Sequence, residues 1–142
     1  MPSRIESDTS RPVPTAFGLV VREFYGGTCA VVAVEGELDL ATAPDLERML
    51  DDALLAGRTI VVDLSLATFI DSTALGVLLG ANRQLGGDGG PGRVRDARLA
   101  VVCARQNLLR IFEFSGLDTA FAIFPELEDA LAHVRGRDAC AD

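Results

Sequence analysis

A chain of 142 residues with 49% hydrophobic and 24% charged side chains is sized for one domain with its own buried core. Its formal net charge of −8 argues against nucleic acid as the main partner, because phosphate backbones are held by clustered cations. All 13 cations are arginine, and the absence of lysine excludes a G-K-[ST] phosphate loop, a Schiff-base enzyme and a response-regulator receiver site.

Residues 1–16 are rich in Ser, Thr, Pro and Arg with little apolar periodicity, and read as a disordered tail. Two strand-like runs follow, Phe17–Glu23 and Thr28–Glu35, joined at Tyr25-Gly26-Gly27 by a turn short enough for an antiparallel hairpin. After Gly36–Ala43 a helix is expected, with Thr42 as N-cap, Pro44 in its first turn and Asp45 completing a capping-box variant. Leu46, Met49, Leu50, Ala53 and Leu54 recur at helical spacing, and Gly57 closes the element. Thr59–Leu64 is a compact apolar run of the kind that forms a buried central strand.

A turn is expected from Ser65 to Asp71, then a helix from Ser72 to Leu85. Asp71 or Ser72 caps that helix, with Phe69 and Ile70 packing as a hydrophobic lead-in. The glycine-rich stretch Gly86–Gly92 and the arginines Arg93, Arg95 and Arg98 form a solvated loop. Leu99–Cys103 gives another buried strand, and Asn107–Phe114 a helix with Leu108, Ile111 and Phe112 inward. Ser115-Gly116-Leu117 reads as a Schellman stop. A short strand at 120–124, a last amphipathic helix from Pro125 to about Val134 and a polar tail at 136–142 end the chain. Helices alternate with strands after the hairpin, which predicts an α/β fold with right-handed crossovers.

Little in this pattern offers catalysis. Cys29, Cys103 and Cys140 are widely spaced with no C-x-x-C pair, and the first two sit in apolar runs as small core residues. His133, the one histidine, falls near the end of the last helix without a Ser or Cys partner motif. No cofactor and no metal is expected. No apolar run approaches the ~18 residues of a membrane span, and the opening residues lack a signal-peptide core, so a cytoplasmic protein without membrane contact is expected.

The helix that starts at Ser72 carries the functional signal. Leu75, Leu78, Leu79 and Leu85 make one apolar side, while Ser72, Thr73, Gly76, Gly80, Arg83 and Gln84 share the other. Glycine in a helix interior costs ~1 kcal/mol relative to alanine. Two glycines four apart on an exposed face fit either core packing or close approach by a partner. The second reading makes Ser72 the edge of a flat docking strip with Arg83 at its far end.

The run FIDSTALGVLLG at Phe69–Gly80 resembles the signature of STAS-domain anti-sigma-factor antagonists. GELDLATAPDLERML at Gly36–Leu50 and LLRIFEFSGLDTAFAIF at Leu108–Phe124 are similar to two further stretches of that family, in the same order. The resemblance implies a single STAS-type domain over residues 17–135, with a mixed sheet of about five strands, the opening hairpin antiparallel and the rest parallel, and about four helices. It assigns Ser72 as the serine phosphorylated by a partner kinase, Asp71 as the acidic residue before it and Thr73 as the neighbouring hydroxyl. Glu37 and Asp39 fall in a loop near the same surface and are weaker contact candidates.

The implied cycle is partner switching. The unphosphorylated protein binds an anti-sigma factor that is also an ATP-dependent serine kinase, and a sigma factor is freed. Phosphorylation of Ser72 breaks the complex, and a PP2C-like phosphatase restores it. The protein itself is then no enzyme, and self-association is not predicted. A scaffold or regulatory STAS subunit outside sigma-factor control, stressosome-like or transporter-associated, is the alternative. A small α/β enzyme using Asp71 and Ser72 would need a nearby His or Lys base, which the sequence lacks at that point.

Overall fold

The computed structural model describes residues 18–86 and 99–141, the stretch 136–141 by backbone alone. The expected N-terminal tail and most of the glycine- and arginine-rich stretch lie outside these residues. Among the described residues the chain order is β1 (Gly18–Phe24), β2 (Cys29–Leu38), α1 (Ala43–Leu55), β3 (Thr59–Ile70), α2 (Ser72–Gly86), β4 (Ala100–Val102), α3 (Gln106–Ser115), β5 (Ala122–Phe124) and α4 (Leu127–Ala141). The strands form one sheet in the order β1-β2-β3-β4-β5. β1 pairs antiparallel with β2 across a short 3₁₀ turn, and all other pairs are parallel. This is the mixed α/β sheet with four helices that the sequence predicts.

Each face of the sheet builds a separate core. On one side, alternate residues Ala30, Val32, Val34 and Leu38 of β2 and Ile60, Val62 and Leu64 of β3 pack with Leu46 and Leu50 of α1, Leu75 and Leu78 of α2, and Leu108 and Phe112 of α3. On the other side Cys29, Val31, Val61, Ala100 and Val102 meet Ala130 and Val134 of α4. Strands buried on both faces read as continuous apolar runs, which is why TCAVVAVE and TIVVDL stand out in the sequence. α3 ends as expected: Gly116 takes φ 77°, and the Leu117 and Gly116 amides donate back to the Phe112 and Glu113 carbonyls at 2.9 and 3.1 Å.

Three expectations need correction. β3 does not stop at Leu64 before a loop; it runs to Ile70 and hands over to α2 within one residue. Two register shifts against β2 each insert an extra β3 residue, and burial along Leu64–Ile70 then recurs every third residue, at Leu64, Ala67 and Ile70. A period of three matches neither strand alternation nor a helix, so the segment reads as a loop. Ser65 stabilises the first irregularity by donating from its N–H and Oγ to Asp63 Oδ1, at 2.9 and 2.5 Å.

Thr42 precedes α1 but its side chain caps no helical amide, and Asp45 pairs with Arg48 instead of closing a box. The reciprocal box lies one turn earlier. The Asp39 N–H donates to Thr42 Oγ1 at 2.8 Å, and the Thr42 N–H donates to Asp39 Oδ1 at 3.1 Å. Finally, α4 continues to Ala141, well past Val134 and through most of the expected polar tail, because alanine- and arginine-rich sequence extends a helix without an apolar stripe.

Candidate functional site

β2 and β3 end side by side, with Leu38 opposite Ile70. The next residues, Asp39 and Asp71, leave the sheet together and begin the turns into α1 and α2. A hydrogen bond from the Asp71 N–H to the Leu38 carbonyl, 3.1 Å, locks the two exits. Gly36, at φ 93°, sits at the second register shift, where a side chain would be strained, and lets β2 follow β3 to this point. In an open parallel sheet the carboxyl ends of the strands are where binding sites collect.

Of the two capping candidates, Asp71 does the capping. Its Oδ1 accepts from the Ala74 N–H at 3.0 Å, and its carbonyl accepts from Leu75 at 3.0 Å. Ser72 therefore falls in the first turn with its hydroxyl free: among the described residues it makes no hydrogen bond and is exposed, as is Thr73.

The face behind Ser72 is open. Gly76 is exposed and Gly80 half-buried, and a Cβ built on either would meet no described atom within 4 Å beyond the helix's own neighbouring backbone. Internal packing therefore does not require these glycines, which removes the core-packing explanation. Arg83 is exposed in the last turn of α2, with no ion-pair partner among the described residues. The opposite side of the helix, Ala74, Leu75, Leu78 and Ala81, is buried.

The weaker candidates divide. The Asp39 carboxylate is taken up by the Ala41 and Thr42 amides, at 3.0 and 3.1 Å, so its first role is to shape the turn between β2 and α1. Glu37 is exposed and lies opposite Phe69. Phe69 itself departs from the sequence reading: Ile70 is buried as a lead-in to the helix, but Phe69 is 45% exposed. Leu66, 60% exposed, was legible only as part of a loop. His133, expected near the end of the last helix, is half-buried within the longer α4, its ring 5.2 Å from that of Phe124. Among the described residues no group of His, Cys, Asp and Glu could hold a metal ion, and no helix is long and apolar enough to cross a membrane.

Comparison with known proteins agrees with this architecture, the STAS domain matching residues 21–130. The chain belongs to the STAS domain family. The anti-sigma-F factor antagonist RsfB of Mycobacterium tuberculosis is 32% identical over 87% of this STAS chain and 93% of RsfB. An anti-sigma factor antagonist from Mycobacterium paratuberculosis superposes with a TM-score of 0.72 at 30% identity, covering 87% of this chain and 97% of that one. The anti-sigma factor antagonist SpoIIAA is similar in its unphosphorylated form, with TM-score 0.62, 27% identity and coverage of 85% and 97%. Its phosphorylated form, from Bacillus, gives 0.58, 25%, 84% and 99%. By sequence and fold, then, this is a STAS domain of the anti-sigma-factor-antagonist type.

Proposed function

We propose that this STAS domain is an anti-sigma-factor antagonist switched by phosphorylation at Ser72. Unphosphorylated, it binds an anti-sigma factor that is also an ATP-dependent serine kinase, and thereby frees a sigma factor in the cytoplasm. Phosphorylation ends that binding, and a PP2C-like phosphatase resets it. The observation that carries this reading is the exposed Ser72 hydroxyl at the start of α2, unbonded among the described residues and flush with a strip whose glycines no described side chain packs against. The names of the related proteins point the same way.

The chemistry suits a switch. A phosphate adds about −1.5 to −2 charges at neutral pH. Placed in the first turn of a helix, it meets unpaired amides and the positive end of the dipole, so the fold tolerates it. Its bulk and hydration shell act outward instead, where a partner would otherwise lie against Thr73, Gly76 and Gly80. Arg83 at the far end of the strip, and Asp71, Glu37 and Asp39 at the near end, frame the contact area.

The test is phosphate mapping by mass spectrometry after incubation with the cognate kinase and ATP. One phosphate is expected, on Ser72 rather than Thr73, Thr42 or Ser65. Ser72→Ala should bind the kinase and stay bound in ATP, and Ser72→Glu should bind weakly, with a partial defect because glutamate carries less charge than phosphate. A phosphate found elsewhere, or a Ser72→Ala protein still released by ATP, overturns the assignment.

A further inference from the structure

α4 covers only part of its side of the sheet. Its buried residues Ala130 and Val134 meet β2, β3 and β4 at Cys29, Val31, Val61, Ala100 and Val102. Toward the carboxyl ends of β2 and β3 none of the described elements covers the same face. Leu66 and Phe69, opposite Glu35 and Glu37, project from it at 60% and 45% exposure, and Val20 of β1, opposite Ala33, is 57% exposed. Val20, Ala33 and Leu66 line an apolar cleft of about 110 Å³ bordered by Glu35 and Asp63. Among the described residues no cation lines this cleft and neither Glu35 nor Glu37 has an ion-pair partner; Arg22, on the same face of β1, lies over the Phe24 ring 5.8 Å away.

We propose that this acid-flanked apolar patch is a second contact area for the anti-sigma factor, reached by wrapping from α2 over the end of β3. The partner segment that fits is amphipathic and basic: an aliphatic side chain for the cleft, and cations opposite Glu35 and Glu37. The identity of the partner rests on the function proposed above. Charge favours this occupant over a second copy, which would set one acidic patch against another. Continuity favours it as well, because Phe69 lies two residues before Asp71, the cap beside Ser72. Large apolar side chains left in water around a docking point are where binding energy concentrates.

The experiment measures affinity of the purified kinase that phosphorylates this chain for the wild type and for Leu66→Thr, Phe69→Thr and Glu35→Arg/Glu37→Arg. Threonine keeps the strand preference while removing apolar surface, and melting curves verify folding. Each threonine variant should bind about tenfold more weakly at unchanged melting temperature. The charge-reversed variant should bind more weakly and lose part of the salt dependence. Wild-type affinity, to within about twofold, in both threonine variants overturns the proposal. So does tighter binding after charge reversal, or a wild-type dimer that Phe69→Thr dissociates. If the wild type binds and is phosphorylated while the patch variants behave identically, only this inference fails. If no anti-sigma kinase binds or phosphorylates the wild type, the functional reading fails with it.

Discussion

Asp71 and Ser72 are adjacent and carry different duties because a helix start separates them. The aspartate turns forward onto the helix, where its Oδ1 accepts the Ala74 amide, and the exposed serine makes no hydrogen bond among the described residues. Asp71→Ala leaves that amide without its acceptor and should lower stability by about 1 kcal/mol. Asp71→Asn keeps an oxygen in place and should lose less than half of that, as read from chemical or thermal unfolding. If phosphorylation also slows in Asp71→Asn, whose cap is intact, the carboxylate charge contributes to kinase docking beyond its structural role. Asp39 shows the same economy of short polar side chains, holding the turn into α1 through two amides.

At the scale of the element, α2 is built as two unlike sides. Ala74, Leu75, Leu78 and Ala81 anchor it to the core, and the small residues opposite leave a surface that another backbone can approach closely. Neither glycine has a positive φ, and added carbons meet open space. Gly76→Ala should therefore stabilise the free protein, by up to about 1 kcal/mol, since alanine is the better helix former. Gly80→Leu should leave the melting temperature nearly unchanged and weaken kinase binding by about 1 kcal/mol or more through steric exclusion. A Gly80→Leu protein that binds as the wild type does would remove the strip from the interface. β3 is the complementary lesson. Its apolar first half declares a buried strand, but its second half follows a period of three, set by two extra residues relative to β2. Those extra residues turn Leu66 and Phe69 onto the part of the sheet face that no described element covers, and no reading of local alternation could place them there.

The whole molecule unfolds through cores on both faces of one sheet, and its response to alkali reports on one of them. Cys103, the residue after β4, is buried in the core that α1, α2 and α3 cover. Burial holds its thiol pKa above the ordinary 9.0, while a backbone bond from Arg105 and that residue's charge pull the opposite way. The unfolded chain therefore loses this proton first as pH rises. The stability linked to the protonated thiol is complete below pH 9.0 and is lost as pH climbs from there through the folded value. Unfolding free energy should fall less steeply between about pH 8 and pH 10 in Cys103→Ala than in the wild type. Equal slopes would mean the thiol ionises alike in both states.

Composition and periodicity alone determined the α/β class, the opening hairpin, the buried strands, the Schellman stop after α3 and the two-sided character of α2. Each of these is written in contacts between near neighbours or in the alternation of a regular element, and such signals survive without the rest of the chain. Only tertiary structure decided which of two capping candidates caps, since Asp71 is positioned by the Leu38 carbonyl of a neighbouring strand. Tertiary structure likewise decided that Gly76 and Gly80 face open space, that β3 reaches α2 without a loop, and that Glu37 and Phe69 stand opposite each other. These outcomes depend on register between strands more than 20 residues apart in the chain, and a shift of one residue would exchange the buried and exposed faces. Docking surfaces are made by that register, so the motif around Ser72 was legible in the sequence and the apolar patch beside it was not.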